Sequence, residues 1–271
     1  MKNIYGIVGH PVAQSLSPAM HQAAYKFNKI DAEYKLFDID PEDPENLANF
    51  CYETDINNIA GFSVTMPYKQ EIMRYMDNYD PLAKIVDSVN TVVNEDSKLI
   101  GYNTDTTGAI QALQEKTKLP DKKVLIMGAG GAARAIAYGL KEFGSDVYVF
   151  NRTKEKAKVL ADEFELDMID FLQIPKANFD IIINATSVGM SPNTEESLLY
   201  VDQIPKNSVV MDIVTNPMET QLLKEAKKAG AETITGERML LHQACGQFEI
   251  WFGKSAPIEA MEAALYENLE T

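Results

Sequence analysis

The chain has 271 residues, a length that favours two domains over one. Its 25 Lys and Arg stand against 40 Asp and Glu, a net charge of −15 that repels nucleic acid and excludes a phosphate-backbone binder. Hydrophobic residues make up 45%, the ordinary content of a globular protein, and no apolar run approaches the roughly 18 residues that a membrane helix needs. The N-terminal stretch MKNIYGIVGHP has no long apolar region and no small-residue cleavage site, so no signal peptide is expected. Cys51 and Cys245 form no paired motif and read as free thiols of a reducing compartment. A cytoplasmic protein without nucleic-acid or membrane partners follows.

In chain order, IYGIVG, EYKLFDI, NIAGFSV and TVVN read as strands, followed by KVLIMG, DVYVFN, DIIINAT and SVVMDIV. Helical periodicity lies between them, as in AARAIAYGLKEFG and METQLLKEAKKAG, both of which stop at Gly. Such alternation predicts parallel sheets with helical crossovers. The strands after Lys122 are nearly continuous in Val, Ile and Met, as expected of strands covered on both faces. The division is drawn at a first domain, 1–103, and a dinucleotide-type domain, 104–236. The apolar helical stretch 237–271 is expected to return and complete the first domain.

KVLIMGAGGAARAIAYGL is a strand, a Gly-rich turn and a helix. Glycines let the backbone approach a pyrophosphate, and the helix N-terminus offers free N–H groups with a positive dipole end. About 20 residues further on, an NAD-binding fold carries an acid for the ribose 2′-hydroxyl. Here the segment is FNRTKEK, with Arg152, Lys154 and Lys156. A guanidinium matches phosphate geometry where a carboxylate would repel it, so the expected anion is the 2′-phosphate of NADP.

The first domain carries further patterns. In SLSPAMHQAAY, Ser17 before Pro18 reads as a helix N-cap, which leaves Ser15 without a structural reason and open to a carboxylate ligand. In GFSVTMPYK, Pro67 makes a turn that brings Lys69 into a first helical turn, a poor place for a cation. Asn90 begins a strand in SVNTVV, and Asp105 in GYNTD precedes a helix, as an N-cap or as the partner of Lys69. An ammonium can polarise a carbonyl and protonate the alkoxide that hydride attack creates, with a carboxylate beside it to fix its charge state.

With SLSPAMH, GFSVTMPYK, SVNTVV, GYNTD, GAGGAARA, NRTKEK, NATSVGM and QACGQFEIW in this order, the whole chain resembles the shikimate dehydrogenase (shikimate/quinate dehydrogenase) family. The resemblance implies two α/β domains: an N-terminal substrate-binding domain and a Rossmann-type NADP-binding domain, with C-terminal helices returning to the first. It implies NADP(H)-dependent interconversion of 3-dehydroshikimate and shikimate, in the biosynthesis of chorismate and aromatic amino acids. By the same resemblance, Ser15 and Ser17 would bind the substrate carboxylate, and Lys69 and Asp105 would be the catalytic pair. Thr65, Asn90 and Gln247 would hold the ring hydroxyls and carbonyl. Gly128, Ala129, Gly130, Gly131 and Ala132 would cradle the pyrophosphate. Asn151, Arg152, Thr153 and Lys156 would hold the ribose and its 2′-phosphate. Thr186, Ser187, Ile213 and Gly236 would line the nicotinamide side, with Met239 next to them near the substrate. A small-molecule substrate and a monomer or homodimer are the expected partners.

Several positions depart from the family pattern. Gln14 stands for a His, Ser63 for an Asn, Asp87 and Ser88 for Gly and Ala, and Thr215 for a Tyr. Ser63 and Thr215 are expected to leave a roomier site, and Asp87 to add charge near an anion pocket. These changes keep open a relative acting on quinate or another cyclohexene or cyclohexane carboxylic acid. A non-catalytic NADP sensor and a glutamyl-tRNA reductase type are the other readings. The last lacks a supported nucleophilic Cys. The histidines His10, His21 and His242 form no cluster, so no metal site is expected, and Trp251 reads as core.

Overall fold

The computed structural model describes residues 2–43 and 45–269 and divides into two units: 1–104 with 243–271, and 105–242. In the first unit, β1 (Asn3–Gly9), α1 (Ser17–Asn28), β2 (Ala32–Asp38), α2 (Glu45–Tyr52) and β3 (Ile59–Val64) alternate. They are followed by β4 (Asn78–Tyr79), α3 (Pro81–Ile85), β5 (Thr91–Glu95) and β6 (Lys98–Tyr102). In the second unit, α4 (Asp105–Gln114) leads into β7 (Lys123–Met127), α5 (Gly131–Glu142), β8 (Asp146–Phe150), α6 (Lys154–Phe164), β9 (Asp167–Met168) and β10 (Ile181–Asn184). After these come β11 (Val209–Asp212), α7 (Gln221–Ala229) and β12 (Glu232–Ile234). Helix α8 (Gly236–Phe252) starts in the second unit and ends in the first, where α9 (Ile258–Leu269) also lies.

The first sheet has the order β2-β1-β3-β5-β6-β4 and is mixed, not parallel as the alternation predicted. Strands β1, β2 and β3 run parallel, whereas β5 is antiparallel to both β3 and β6. The β5–β6 pairing is made by a two-residue hairpin at Asp96 and Ser97, both at positive φ (50° and 62°), which suits the twist of adjacent strands. Asp-Ser lacks the glycine that normally marks such a turn, so β6 was not legible. The core beneath this sheet gathers Val8, Phe62, Val64, Val92 and Leu99 with Leu47, Cys51 and Ile72. Burial pushes the Cys51 thiol up to about 12, so it is inert, and Cys245 is buried against Met261.

The C-terminal helices complete this unit as expected. Trp251 on α8 donates from Nε1 to the Val92 carbonyl at 3.0 Å and packs on Tyr5 at 5.0 Å between centroids. Gly61 on β3 makes room for it, since a Cβ there would meet Trp251 Nε1 at 2.7 Å.

The second sheet runs β12-β11-β10-β7-β8-β9, with every pairing parallel. In strand numbers of this unit alone the order is 3-2-1-4-5-6, that of the doubly wound dinucleotide folds. Its strands alternate strictly between two cores. Val124, Ile126, Ile181, Ile183, Val209 and Met211 face one, with Ile110, Ile136, Leu140 and Leu160. Leu125, Met127, Ile182 and Val210 face the other, with Leu222, Leu223 and Ala226 of α7. Helices therefore cover both faces, which is why these strands read as unbroken apolar runs. Helix α7 stops where Gly230 takes φ +82°, the left-handed conformation that glycine adopts without strain.

Candidate active site

In the first unit two of the expected substrate residues, Asn90 and Gln247, belong to a buried polar network. Asn90, 1% exposed, is its hub. Its Oδ1 accepts from the Thr104 N–H at 2.8 Å and the Thr91 hydroxyl at 2.8 Å, while its Nδ2 donates to Thr104 Oγ1 at 3.0 Å. Gln247, also 1% exposed, donates from Nε2 to the Asn90 carbonyl at 3.2 Å and to Gln243 Oε1 at 2.9 Å. Its Oε1 accepts from Ser63 at 2.8 Å and faces His21 Nε2 at 3.2 Å. Two donors and two acceptor positions are thereby all engaged, which fixes the amide in one orientation.

Sequence reasoning missed His21, Tyr34, Gln243 and Thr104. A signal existed for the last two: Gln243 precedes Gln247 by one helical turn on α8, and Thr104 sits inside GYNTD. His21 likewise closes SLSPAMH, whereas no signal marked Tyr34. His21 is fully buried, stacked on the Tyr34 ring at 4.6 Å and 8°. Burial pushes its imidazole down to about 3, against a smaller opposing effect of Gln247, so it is neutral.

Ser63 is buried, and its hydroxyl lies 2.7 Å from the Tyr34 hydroxyl and donates to Gln247 Oε1 at 2.8 Å. Asp87 is exposed at φ +48°, where its carboxylate accepts from the Gln70 side chain at 3.3 Å. Ser88 is buried, and its carbonyl accepts from Asn103 Nδ2 at 2.8 Å. The capping roles at α1 are also exchanged. Helix α1 begins at Ser17 itself, after Leu16, and it is Ser15 Oγ that accepts the Ser17 N–H at 3.3 Å.

Thr65 is half-buried just past β3, and its N–H bonds the Val8 carbonyl at 2.9 Å. Lys69 is half-buried in the turn ahead of a short 3₁₀ helix at Glu71–Tyr75, not in a helical first turn. Its carbonyl accepts the Val89 N–H at 2.8 Å. Asp105 belongs to the second unit, 3% exposed at the start of α4, where the positive helix end favours a carboxylate.

The Gly-rich turn lies between the carboxyl ends of β7 and β10, where the strand order of the second sheet reverses. Gly128 has φ +129°, and a Cβ there would meet the Ala185 carbonyl oxygen at 2.7 Å. Gly130 faces open space and takes the N-cap place of α5 with no side-chain cap. Ala129, Gly131 and Ala132 are half-buried around it. Among the described residues no side chain caps the N-terminus of α5, an arrangement that fits a pyrophosphate.

At the end of β8, Asn151 Nδ2 donates to the Thr153 carbonyl at 2.9 Å and shapes the turn into α6. Of the three cations, Lys154 is taken by Asp170 at 2.7 Å. Arg152 and Lys156 are exposed and make no ion pair among the described residues, so two charges remain for an anion.

After β10, Asn184 orders the next loop. Its Oδ1 accepts from the Thr186 N–H and hydroxyl at 3.0 and 2.7 Å, and Ser187 is exposed beyond. Asn184 Nδ2 donates to Asp212 at 3.0 Å. Asp212 is fully buried and also accepts from the Val214 N–H at 3.0 Å and the Thr220 hydroxyl at 2.7 Å. Burial raises its pKa, and these donors oppose the rise. Ile213 and Thr215 are half-buried in the following loop, and the Ile213 carbonyl lies 2.7 Å from where a Gly236 Cβ would stand. Met239 belongs to the core of the second sheet. Among the described residues no group of His, Cys, Asp or Glu is arranged to hold a metal, and no helix is long and apolar enough to cross a membrane.

Residues 7–92 match the family model of the shikimate dehydrogenase substrate binding domain, 111–227 that of shikimate / quinate 5-dehydrogenase, and 236–266 that of the shikimate 5′-dehydrogenase C-terminal domain. The shikimate dehydrogenase (NADP(+)) of Methanobrevibacter smithii is 42% identical over 278 aligned residues, covering 98% of this chain and 97% of its own. The chain belongs to the shikimate dehydrogenase family. Among solved family members, a shikimate dehydrogenase in complex with NADP+ matches with a TM-score of 0.93 at 41% identity, over 99% of this chain and 96% of the other. The Thermus thermophilus enzyme in complex with NADP(H) and shikimate matches with a TM-score of 0.91 at 33% identity, over 98% and 99%.

Proposed function

We propose that this chain is an NADP-dependent oxidoreductase that interconverts 3-dehydroshikimate and shikimate. The observation that carries this reading is the full length of the likeness. Relatives named shikimate dehydrogenase (NADP(+)) share both units with this chain, so the likeness is not confined to a nucleotide domain. NADPH, when bound, supplies the hydride. The Gly128–Ala132 turn would hold its pyrophosphate, Asn151, Arg152, Thr153 and Lys156 its ribose 2′-phosphate, and Thr186, Ser187, Ile213, Gly236 and Met239 its nicotinamide side. In this reading residues 1–103 with 237–271 take the acid, and 104–236 take the dinucleotide.

The proposed chemistry of the chain's own residues is proton transfer and orientation. Ser15 and Ser17 hold the substrate carboxylate. Thr65, Asn90 and Gln247 fix the ring, so that one carbonyl is reduced in one sense. Lys69 stabilises the charge that builds on the carbonyl oxygen and protonates it, with Asp105 as the other member of the proposed catalytic pair. In the reverse direction the same lysine takes the hydroxyl proton. A cytoplasmic monomer or homodimer serving chorismate formation fits this activity.

Replacing Lys69 by Ala is expected to lower kcat about 10²-fold or more, with NADP+ binding unchanged. Near-normal turnover in that variant would remove Lys69 from the mechanism. Cofactor binding without turnover in the unmodified protein would favour a sensor instead.

A further inference from the structure

Asp212 ends β11 in full burial, and the three groups that bond its side chain are neutral donors. Its Oδ1 accepts from Asn184 Nδ2 and from the Val214 N–H, both at 3.0 Å, and its Oδ2 accepts from the Thr220 hydroxyl at 2.7 Å. A carboxylate buried among neutral groups costs stability that an apolar side chain would not. What the carboxylate supplies is direction. It can only accept, so Asn184 aims its NH2 at Asp212 and at the Val188 carbonyl, 3.1 Å away. The Asn184 oxygen is thereby turned to the N–H and the hydroxyl of Thr186.

The Thr186 hydroxyl gives its hydrogen to Asn184 and accepts from the Val188 N–H at 3.1 Å, so the side chain is held in one orientation. Its methyl group lies 3.2 Å from where a Cβ on Gly128 would stand, against the Gly-rich turn. A second line of contacts runs beyond β11. The Val214 N–H is held by Asp212, the Ile213 N–H bonds the Asn184 carbonyl at 3.1 Å, and the Asn216 carbonyl accepts from the Ser191 N–H at 2.9 Å. Asn184 and Asp212 stand opposite each other in the β10–β11 register. One carboxylate thus joins the loops that follow the two strands.

We infer that Asp212 is a positioning residue of the dinucleotide site: through Asn184 it sets Thr186 against the Gly-rich turn, and through Val214 it fixes the loop that begins with Ile213. Its buried carboxylate acts through these residues rather than on a bound molecule. The inference rests on the dehydrogenase reading above, in which Thr186, Ser187 and Ile213 line the nicotinamide side.

The test is calorimetric titration of the purified protein with NADP+, beside its kinetics. Asp212→Ala is expected to raise the Kd for NADP+ about 3- to 10-fold, the worth of one neutral hydrogen bond that is no longer pre-oriented. The KM for shikimate, whose proposed ligands belong to the first unit, should stay within about 2-fold. Asp212→Asn is expected to recover the affinity to within about 2-fold, because its oxygen can serve Asn184 and Val214 while its NH2 donates to Thr220 Oγ1. Thr220→Ala separates positioning from stability. It removes a partner of Asp212 and the cap of α7 but leaves the bonds to Asn184 and Val214, so it should lower the thermal midpoint and leave the NADP+ affinity unchanged. An unchanged Kd in Asp212→Ala, no recovery in Asp212→Asn, or an equal loss of affinity in Thr220→Ala overturns the inference. Where Asp212→Ala does not fold, Asn184→Ala decides: it leaves Asp212 two of its three donors and is expected to raise the Kd by the same factor, and an unchanged Kd overturns the inference. An unmodified protein that binds no NADP+ sinks the dinucleotide reading and the inference with it. Normal binding there, with no difference among the variants, sinks the inference alone.

Discussion

His21 makes the first unit sensitive to acid. In the folded chain its imidazole is pushed down to about 3 by full burial, from an ordinary value near 6.5 in the unfolded chain. Between those values the unfolded chain binds one more proton than the folded one, so stability falls as pH falls. The contribution is complete above pH 6.5 or so and is lost progressively toward pH 3. At pH 5 the loss is about 2 kcal/mol, from 1.5 pH units at about 1.4 kcal/mol each. With a urea m-value of roughly 1–3 kcal/mol/M, the midpoint should fall by about 1 M. Trp251 is the lone tryptophan, belongs to the same unit and packs against His21 at 5.0 Å, so its fluorescence reports this unfolding. The comparison is His21→Gln, whose amide can donate toward Gln247 and does not titrate in this range. Carboxylates titrate in both proteins and cancel in the difference. Equal slopes of midpoint against pH in the two proteins would refute the reasoning.

Three further outcomes are expected. Arg152→Ala should reduce the preference for NADP+ over NAD+ by about 10- to 150-fold, measured as the ratio of kcat/KM, because one charge-assisted bond of about 1.5–3 kcal/mol is lost. Gly128→Ala should destabilise the second unit by at least about 1–3 kcal/mol in thermal unfolding and raise the KM for NADP+, since φ +129° and the Ala185 carbonyl both exclude a Cβ. Thr220→Ala should cost about 1–3 kcal/mol, because the hydroxyl both caps α7 at the Leu223 N–H and donates to buried Asp212.

What could be read in advance follows from where each signal resides. The second unit was legible because its strands are apolar on both faces and its Gly-rich turn falls between a strand and a helix that both fit a doubly wound fold. β9 and β12 escaped because two- and three-residue edge strands carry too few positions for a pattern. The mixed sheet of the first unit escaped because the Asp96-Ser97 hairpin reaches positive φ without glycine. At the site, Asn90 and Gln247 were recognisable within their motifs. Tyr34 was not, and the partners of His21 were hidden although it closes SLSPAMH, because only the pairing of β2 with β1 and the return of α8 bring residues so far apart in sequence together. Ser63 read only as a smaller residue that leaves a roomier site, and its contacts with Tyr34 and Gln247 come from distant parts of the chain that sequence spacing does not reveal.

The measurement that tests the central claim most directly is the initial rate of nicotinamide reduction by the purified protein. Shikimate and quinate are each offered with NADP+ and with NAD+. Rapid turnover of shikimate with NADP+, and far slower turnover in the other three pairs, is the predicted result. Preference for quinate or for NAD+, or no turnover in any pair, would contradict it.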